Sequence, residues 1–330
     1  MIFGVPSASQ RFSWASRAMR RLGAFALAVA LTAAATAFAA DPARRTFASP
    51  DEAAYALVDA LGRSDADAAA AILGPAGEKL IRSGDAVADQ NALLRFLAAD
   101  AKRHRLAQEG GARAILHVGE EDWPLPIPIV RRNGAWFFDT AAAMGEILNR
   151  RIGRNELNAI QVCLGIVDAQ REYASTDHDG SGLRTYARRF VSTPGMRDGL
   201  YWKAAQGEPQ SPLGPMVARA VEEGYHRSSA APGPIPYHGY YYRILTAQGK
   251  HAKGGAYGYI VNGKMMGGFG LIAYPARYGA SGIMTFVVNQ DGAVYQRNLG
   301  RASATIARSM RAFDPDSSWR AVTTAEGRIR

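Results

Sequence analysis

The stretch Asn155–Tyr173, NELNAIQVCLGIVDAQREY, and the run at Gly268–Gln296, GFGLIAYPARYGASGIMTFVVNQDGAVYQ, decide the fold. In the first, Leu157, Ile160, Val162, Cys163, Leu164, Ile166 and Val167 form an apolar set. Asn158, Gln161, Asp168, Gln170 and Arg171 fall mostly on the other face, so the segment predicts one long helix suited to lying across a sheet. The second run consists of short apolar segments rich in β-branched and aromatic residues. Strands are expected at Tyr240–Thr246, Tyr257–Val261, Met265–Ala273, Ile283–Asn289 and Ala293–Gln296. Asn262-Gly263 and Asp291-Gly292 read as tight hairpin turns, because type I′ turns need positive φ at both central residues. A long helix followed by an antiparallel meander is an α+β arrangement.

Upstream, Ser49-Pro50-Asp51-Glu52 is a helix start, with a Ser N-cap, Pro at the first helical position and acids in the first turn. Ala53, Leu57, Val58 and Leu61 supply the apolar stripe and Gly62 closes the helix. Further helices are expected at Asp65–Leu73 and about Asp89–Gln108, the latter burying Leu93, Leu94, Phe96 and Leu97. Strands at Ala112–Val118, Ile127–Arg132 and Ala135–Asp139 follow, the last two joined by Asn133-Gly134. The expected division is therefore an N-terminal α+β domain over 46–145, a second α+β domain over 154–300, and a C-terminal helix and tail over 301–330. Between the domains, charged Gly145–Arg154 reads as a solvated helix face or linker. Ser192–Pro236, rich in Gly, Pro and Ser with a short helix at Pro215–Glu223, is too long for an ordinary connection. It reads as an ordered excursion or a site.

Residues 1–39 carry the marks of a signal peptide. Arg11, Arg17, Arg20 and Arg21 form a basic region, Leu22–Leu31 an apolar one, and Ala37-Phe38-Ala39 a cleavage site. The expected location is periplasmic or secreted, with no stable membrane anchor after cleavage. Removing that leader leaves 35 of the 39 basic residues against 29 acidic ones, a net +6. No charge block stands out, which argues against nucleic-acid binding. Cys163 is the single cysteine and has no disulfide partner in the chain.

Candidate chemistry is sparse. Asp177-His178-Asp179-Gly180-Ser181-Gly182 places oxygen ligands at positions 1, 3 and 5 and Gly at 6, as a calcium loop does. Position 12 is Arg188, however, and an Asx turn explains the same letters, so Asp177, Asp179 and Ser181 carry both readings. Tyr237, His238, Tyr240, Tyr241 and Tyr242 could line a groove for a glycan or peptide. Alternation puts Tyr240 and Tyr242 on one face, so a half-buried strand with a wet tyrosine face also fits. Glu120, Glu121 and Asp122 read as an acid/base pair or as a solvated turn. No nucleophile elbow, phosphate loop or zinc signature is present; Gly279-Ala280-Ser281-Gly282 lacks the glycine two residues after the serine.

Two resemblances add to this reading. Ala159–Ala174, AIQVCLGIVDAQREYA, with the strands of Gly268–Gln296, resembles the headgroup of a type IV pilin or pseudopilin. The polar residues at Gly145–Asn158 stand where a pilin has its membrane-embedded stalk, which implies a chain that does not polymerise. FASPDEAAYALVDAL at Phe47, GEEDWPLPIPIV at Gly119, EILNRRIGRNELNAIQVC at Glu146 and TPGMRDGLYW at Thr193 are similar to the DUF2950 family of exported proteins. SPLGP at Ser211, YHGYYYRILTAQG at Tyr237 and GGAYGYIVNGKMMGGFGLIAYPARYG at Gly254 extend that match. It implies export and no particular reaction. The expected function is a non-enzymatic envelope module that binds a protein or glycan through the excursion and Tyr237–Tyr242. An extracytoplasmic hydrolase with its site between the domains is the alternative.

Overall fold

The computed structural model describes residues 44–226 and 233–323. Ser49 caps helix α1 (Pro50–Gly62): its hydroxyl accepts from the Glu52 amide at 3.0 Å, while the Glu52 carboxylate accepts from the Ala48 amide at 2.9 Å. The first bond satisfies a donor that a helix start leaves open, and the second ties the preceding residue back to the first turn. Gly62 ends this helix in helical conformation, and Ser64 takes the left-handed turn at φ 55. Helices α2 (Ala66–Leu73), α3 (Gly77–Ile81) and α4 (Ala86–Lys102) follow.

The first sheet contains β1 (His104–Gln108), β2 (Arg113–Val118), β3 (Trp123–Pro124), β4 (Ile129–Arg132) and β5 (Ala135–Phe138). Its order is β1-β2-β4-β5, with β3 on β2, and its pairs are antiparallel. Asn133 and Gly134 take φ 52 and 79 in the turn from β4 to β5. Leu57, Ile72, Leu116, Ile129 and Phe138 form the core between this sheet and the helices.

Two expectations fail in this half. The helix expected over Asp89–Gln108 starts earlier and stops at Lys102, because His104–Gln108 pairs residue by residue with Ala114–Val118. Strand pairing takes the amides that a longer helix would have used. Leu94, expected inside, is 53% exposed, and no residue of α4 is fully buried.

Helix α5 runs over Thr140–Tyr173, 34 residues, so Gly145–Arg154 is continuous helix. Its first half sends Ala143 and Ile147 into the N-terminal core. The second half sends Ala159, Cys163, Ile166, Val167 and Tyr173 into another core, beside Leu271, Phe286 and Val288. One helix therefore serves both cores.

Helix α6 (Gly214–Glu222) precedes strands β6 (Tyr240–Leu245), β7 (Ala247–Gln248), β8 (Tyr257–Gly258), β9 (Ile260–Val261) and β10 (Lys264–Met265). Strands β11 (Gly270–Pro275), β12 (Met284–Asn289) and β13 (Tyr295–Asn298), helix α7 (Ser303–Ser309), and strands β14 (Ala312–Phe313) and β15 (Arg320–Ala321) complete the chain. The main sheet is antiparallel in the order β15-β13-β12-β11-β6, and β14-β7-β8 forms a smaller sheet. Every residue of β11 is buried. Leu271 and Ala273 face the core shared with α5, while Ile272 and Tyr274 face a third cluster with Ala307, Phe313 and Trp319.

Both residues of Asn262-Gly263 have positive φ, as a type I′ turn requires. At Asp291-Gly292 only the glycine does. There the Gly292 amide donates to the Asn289 carbonyl at 2.9 Å, and ladder pairing closes only at Val287 with Tyr295. The connection is longer than the two-residue hairpin expected. The architecture as a whole is α+β.

Candidate functional site

The calcium-like loop is occupied by the protein's own cation. Asp177 accepts from the amides of Asp179 and Gly182 at 3.1 and 2.8 Å, an Asx arrangement that fixes the turn. Lys264, on β10, places its ammonium 2.6 Å from Asp179 Oδ2 and also donates to Ser181 Oγ. This hydrogen bond holds the Asp179 carboxyl far below the usual carboxylate range. Arg188, at the twelfth position, donates to the Gly263 carbonyl at 2.9 Å. A divalent cation at Asp179 and Ser181 would have to displace Lys264 and tolerate its charge, so the donor set does not fit calcium.

The tyrosines form no open groove. Tyr240 is fully buried and donates to the Met284 carbonyl at 2.9 Å. Half-buried Tyr242 donates to the Tyr237 carbonyl at 3.3 Å. Tyr240 and Tyr242 do share a face, as alternation required, but that face is the one α5 covers. Tyr237 is half-buried with its ring 4.0 Å from that of His238, and burial pushes its phenol up to about 12.

His238 belongs instead to a polar junction between the two cores. His238 and Gly239 adopt φ 51 and 78 in a turn closed by reciprocal backbone bonds between Tyr237 and Tyr240. A left-handed histidine is uncommon. Asp85, buried at the start of α4, holds the turn in place. One oxygen accepts from the Ala88 amide at 3.0 Å; the other accepts from the Gly239 amide at 2.7 Å and the Tyr225 hydroxyl at 2.9 Å. His238 Nε2 lies 3.4 Å from Glu223 Oε2. Burial lowers the His238 pKa, and the charges of Glu223 and Asp85 oppose that shift. Arg277 secures the same junction, donating to the Arg82 carbonyl at 2.7 Å and to Glu78 at 3.2 Å.

The segment that follows α5 is tied to the helix through Gln170, whose buried amide exchanges two hydrogen bonds with Ala187 at 2.9 and 2.8 Å. Thr193 donates through its amide and hydroxyl to Asp198 at 2.7 and 2.8 Å, closing a surface turn. Beside this turn lies a hollow of about 360 Å³ lined by Val191, Met196, Arg197, Tyr201, Trp202 and Lys203. Met196 and Arg197 also line an adjoining hollow of about 210 Å³ that reaches Arg188, Arg189 and Lys264. The Arg197 guanidinium sits 5.4 Å from the centroid of the Trp202 ring and pairs with Glu208 at 3.1 Å.

Over residues 44–322 the chain matches the family described as protein of unknown function (DUF2950). It belongs to the DUF2950 family. No curated protein and no solved structure matches it.

In this DUF2950 protein the match spans both cores and the junction that joins them. Among the described residues no helix is long and apolar enough to cross a membrane. The signal peptide expected over 1–39 lies outside the described residues. Asp122 is tied to Arg105 through both carboxylate oxygens, and the Arg105 hydrogen bond lowers its pKa. It is therefore a bound turn residue. Ser281 is buried with its hydroxyl engaged to the Arg277 backbone, and so is no nucleophile. Asp85 escaped sequence reading because it lies far from His238 along the chain, and Glu223 and Tyr225 because no local pattern links them to His238 across the intervening loop.

Proposed function

We propose that this DUF2950 protein is an exported, non-enzymatic binding module whose partner is a protein held at the Met196–Trp202 hollow. The observation that carries the reading is the composition of that rim: Val191 and Met196 are 54% and 57% exposed beside Arg197, Tyr201 and Trp202. Met, Arg and aromatic side chains are the types enriched where proteins bury surface against one another. A glycan fits less well, because the Arg197 guanidinium lies over the ring on which a sugar would stack. The leader supports export in this reading. A pilin-like headgroup, reused without its apolar stalk, accounts for a long helix laid on an antiparallel sheet.

A photo-crosslinker at Met196 in the full mature protein, exposed to envelope extract, tests this. A control crosslinker goes at Leu157, which is 66% exposed on α5. The expected result is a discrete protein adduct from Met196 that Trp202→Ala abolishes and that free oligosaccharides do not displace. Equal labelling from both positions, or displacement by sugar, would overturn the reading. An intact mass beginning at Ala40 tests the export step.

The alternative, a hydrolase at the junction, is favoured by one observation, the 3.4 Å approach of His238 Nε2 to Glu223. A carboxylate beside a neutral imidazole is the pairing a general base uses. This reading requires turnover of an envelope polymer that His238→Asn abolishes while the hollow is left intact.

A further inference from the structure

A separate cavity of about 350 Å³ lies in the N-terminal half, where the end of α1, the end of α3 and the first turns of α4 meet the middle of α5. Leu61, Leu80, Ile81 and Leu93 give it an aliphatic wall; of its four charged residues, Arg82 pairs with Asp67 at 2.7 Å and Asp65 caps α2, while Asp89 and Arg151 place opposite charges in the same space. The two charged groups make no ion pair with each other or with any other described residue, although each feels the other's field. Asp89 spends one oxygen on the Ser83 amide at 2.8 Å. Arg151 donates to the Lys79 and Leu80 carbonyls at 2.8 Å each, which fixes the fork against the last turn of α3 and leaves its other N–H donors without a described partner.

From this juxtaposition we infer that the cavity is a binding site for a small zwitterion with an aliphatic side chain, a free amino acid of the leucine class. Its ammonium meets Asp89, its carboxylate meets Arg151, and its side chain lies along Leu61, Leu80, Ile81 and Leu93. Size supports the assignment. Pockets for small molecules span roughly 300–1,000 Å³, and this one stands at the small end of that range. The charges support it as well. A ligand carrying only an anion or only an apolar body would leave one of two half-buried charges unmatched, which costs more than an exposed charge does. Burial raises the Asp89 carboxyl and lowers the Arg151 guanidinium, so both gain from an opposite charge supplied inside the cavity.

The site is independent of the Met196–Trp202 hollow and can fail without affecting that reading. Calorimetric titration of the full mature protein with L-leucine, N-acetyl-L-leucine, L-leucinamide and L-serine tests it. Saturable heat is expected with L-leucine. Binding should weaken by about tenfold or more for each derivative that loses one charge, and likewise for L-serine, each tenfold being about 1.4 kcal/mol. Asp89→Asn keeps an acceptor for the Ser83 amide, so it is expected to fold normally and lose the preference for L-leucine over its N-acetyl derivative. Arg151→Met, with folding checked by circular dichroism, should lose the preference over L-leucinamide. Absence of heat at millimolar L-leucine, or equal affinity for the capped derivatives, would overturn the proposal.

Discussion

Lys264 Nζ stands 2.6 Å from Asp179 Oδ2, with the Ser181 hydroxyl as its second acceptor, so an ammonium fills the position that the loop sequence offers to a metal ion. The prediction compares two proteins. Wild type should give no heat with calcium at millimolar concentration, whereas Lys264→Ala should gain weak calcium binding if the ammonium is the competitor. Heat in the wild type would show that the lysine is readily displaced. No heat in either protein would show that Asp177, Asp179 and Ser181 are turn residues alone.

Asp85 joins the two halves through two acceptor bonds and caps α4 with a third, and its removal should be costly. Asp85→Ala loses the α4 cap and leaves the Gly239 amide and Tyr225 hydroxyl without their partner. A lost cap costs about 1 kcal/mol and each buried unsatisfied group about 1–3 kcal/mol, so a total of about 3–7 kcal/mol is expected in urea denaturation. Asp85→Asn should cost less, because its oxygen can still cap the helix. A loss below about 1 kcal/mol for alanine would contradict this account of the junction.

Gly282 lies under the Tyr240 phenol. A Cβ added there would stand 2.1 Å from the hydroxyl oxygen and 2.6 Å from the ring carbon that bears it. The ring cannot swing away, because it is fully buried against Cys163 and Phe286 and its hydroxyl holds the Met284 carbonyl. Gly282→Ala should therefore destabilise by about 1–3 kcal/mol through overpacking. Tyr240→Phe in that background should recover part of the loss, since the tightest contact is the hydroxyl. The relevant measurement is the coupling energy of the double-mutant cycle, and a value near zero would rule out the contact as the cause.

The His238 pKa is lowered on folding, which fixes the sign of a pH effect. Above the unfolded value of 6.5 neither state holds the proton and the folded state keeps its full stability. As pH falls through that value the unfolded chain takes up a proton that the folded chain does not, so stability declines until the folded pKa is passed. His238→Asn tolerates the left-handed backbone and removes the titration. Comparing denaturation free energies at pH 7.5 and pH 5 should show a smaller acid loss in the variant; identical losses would assign the effect to other groups.

Local patterns made the second half of α5, the main strands and the Ser49 cap legible, because each depends on neighbours a few residues apart; the first half of α5 and the breaks within the strands expected at Tyr257–Val261 and Met265–Ala273 were not. The Tyr240/Tyr241/Tyr242 alternation was legible for the same reason: successive side chains in a strand must point to opposite faces. Helix α4 was misjudged at its end because His104–Gln108 takes its conformation from β2, a partner that helix periodicity does not consult. The candidate sites were misjudged more deeply. Nothing near Asp179 in the sequence announces Lys264, and nothing near His238 announces Asp85.

The sequence by itself determined the α+β class, most turn positions, most of the apolar face of α5 (Leu157 being exposed and Gln170 buried against expectation) and the family of the chain. Tertiary structure alone decided which side chains are free to act. Helix α5 covered the face that carries buried Tyr240 and half-buried Tyr242, Lys264 occupied the calcium-like loop, and the junction gathered Asp85, Glu223, Tyr225 and His238. Local structure follows from short-range sterics and hydrogen bonding, which sequence spacing encodes. Exposure and charge pairing depend on contacts between segments far apart in the chain, and those exist only once the layers have packed.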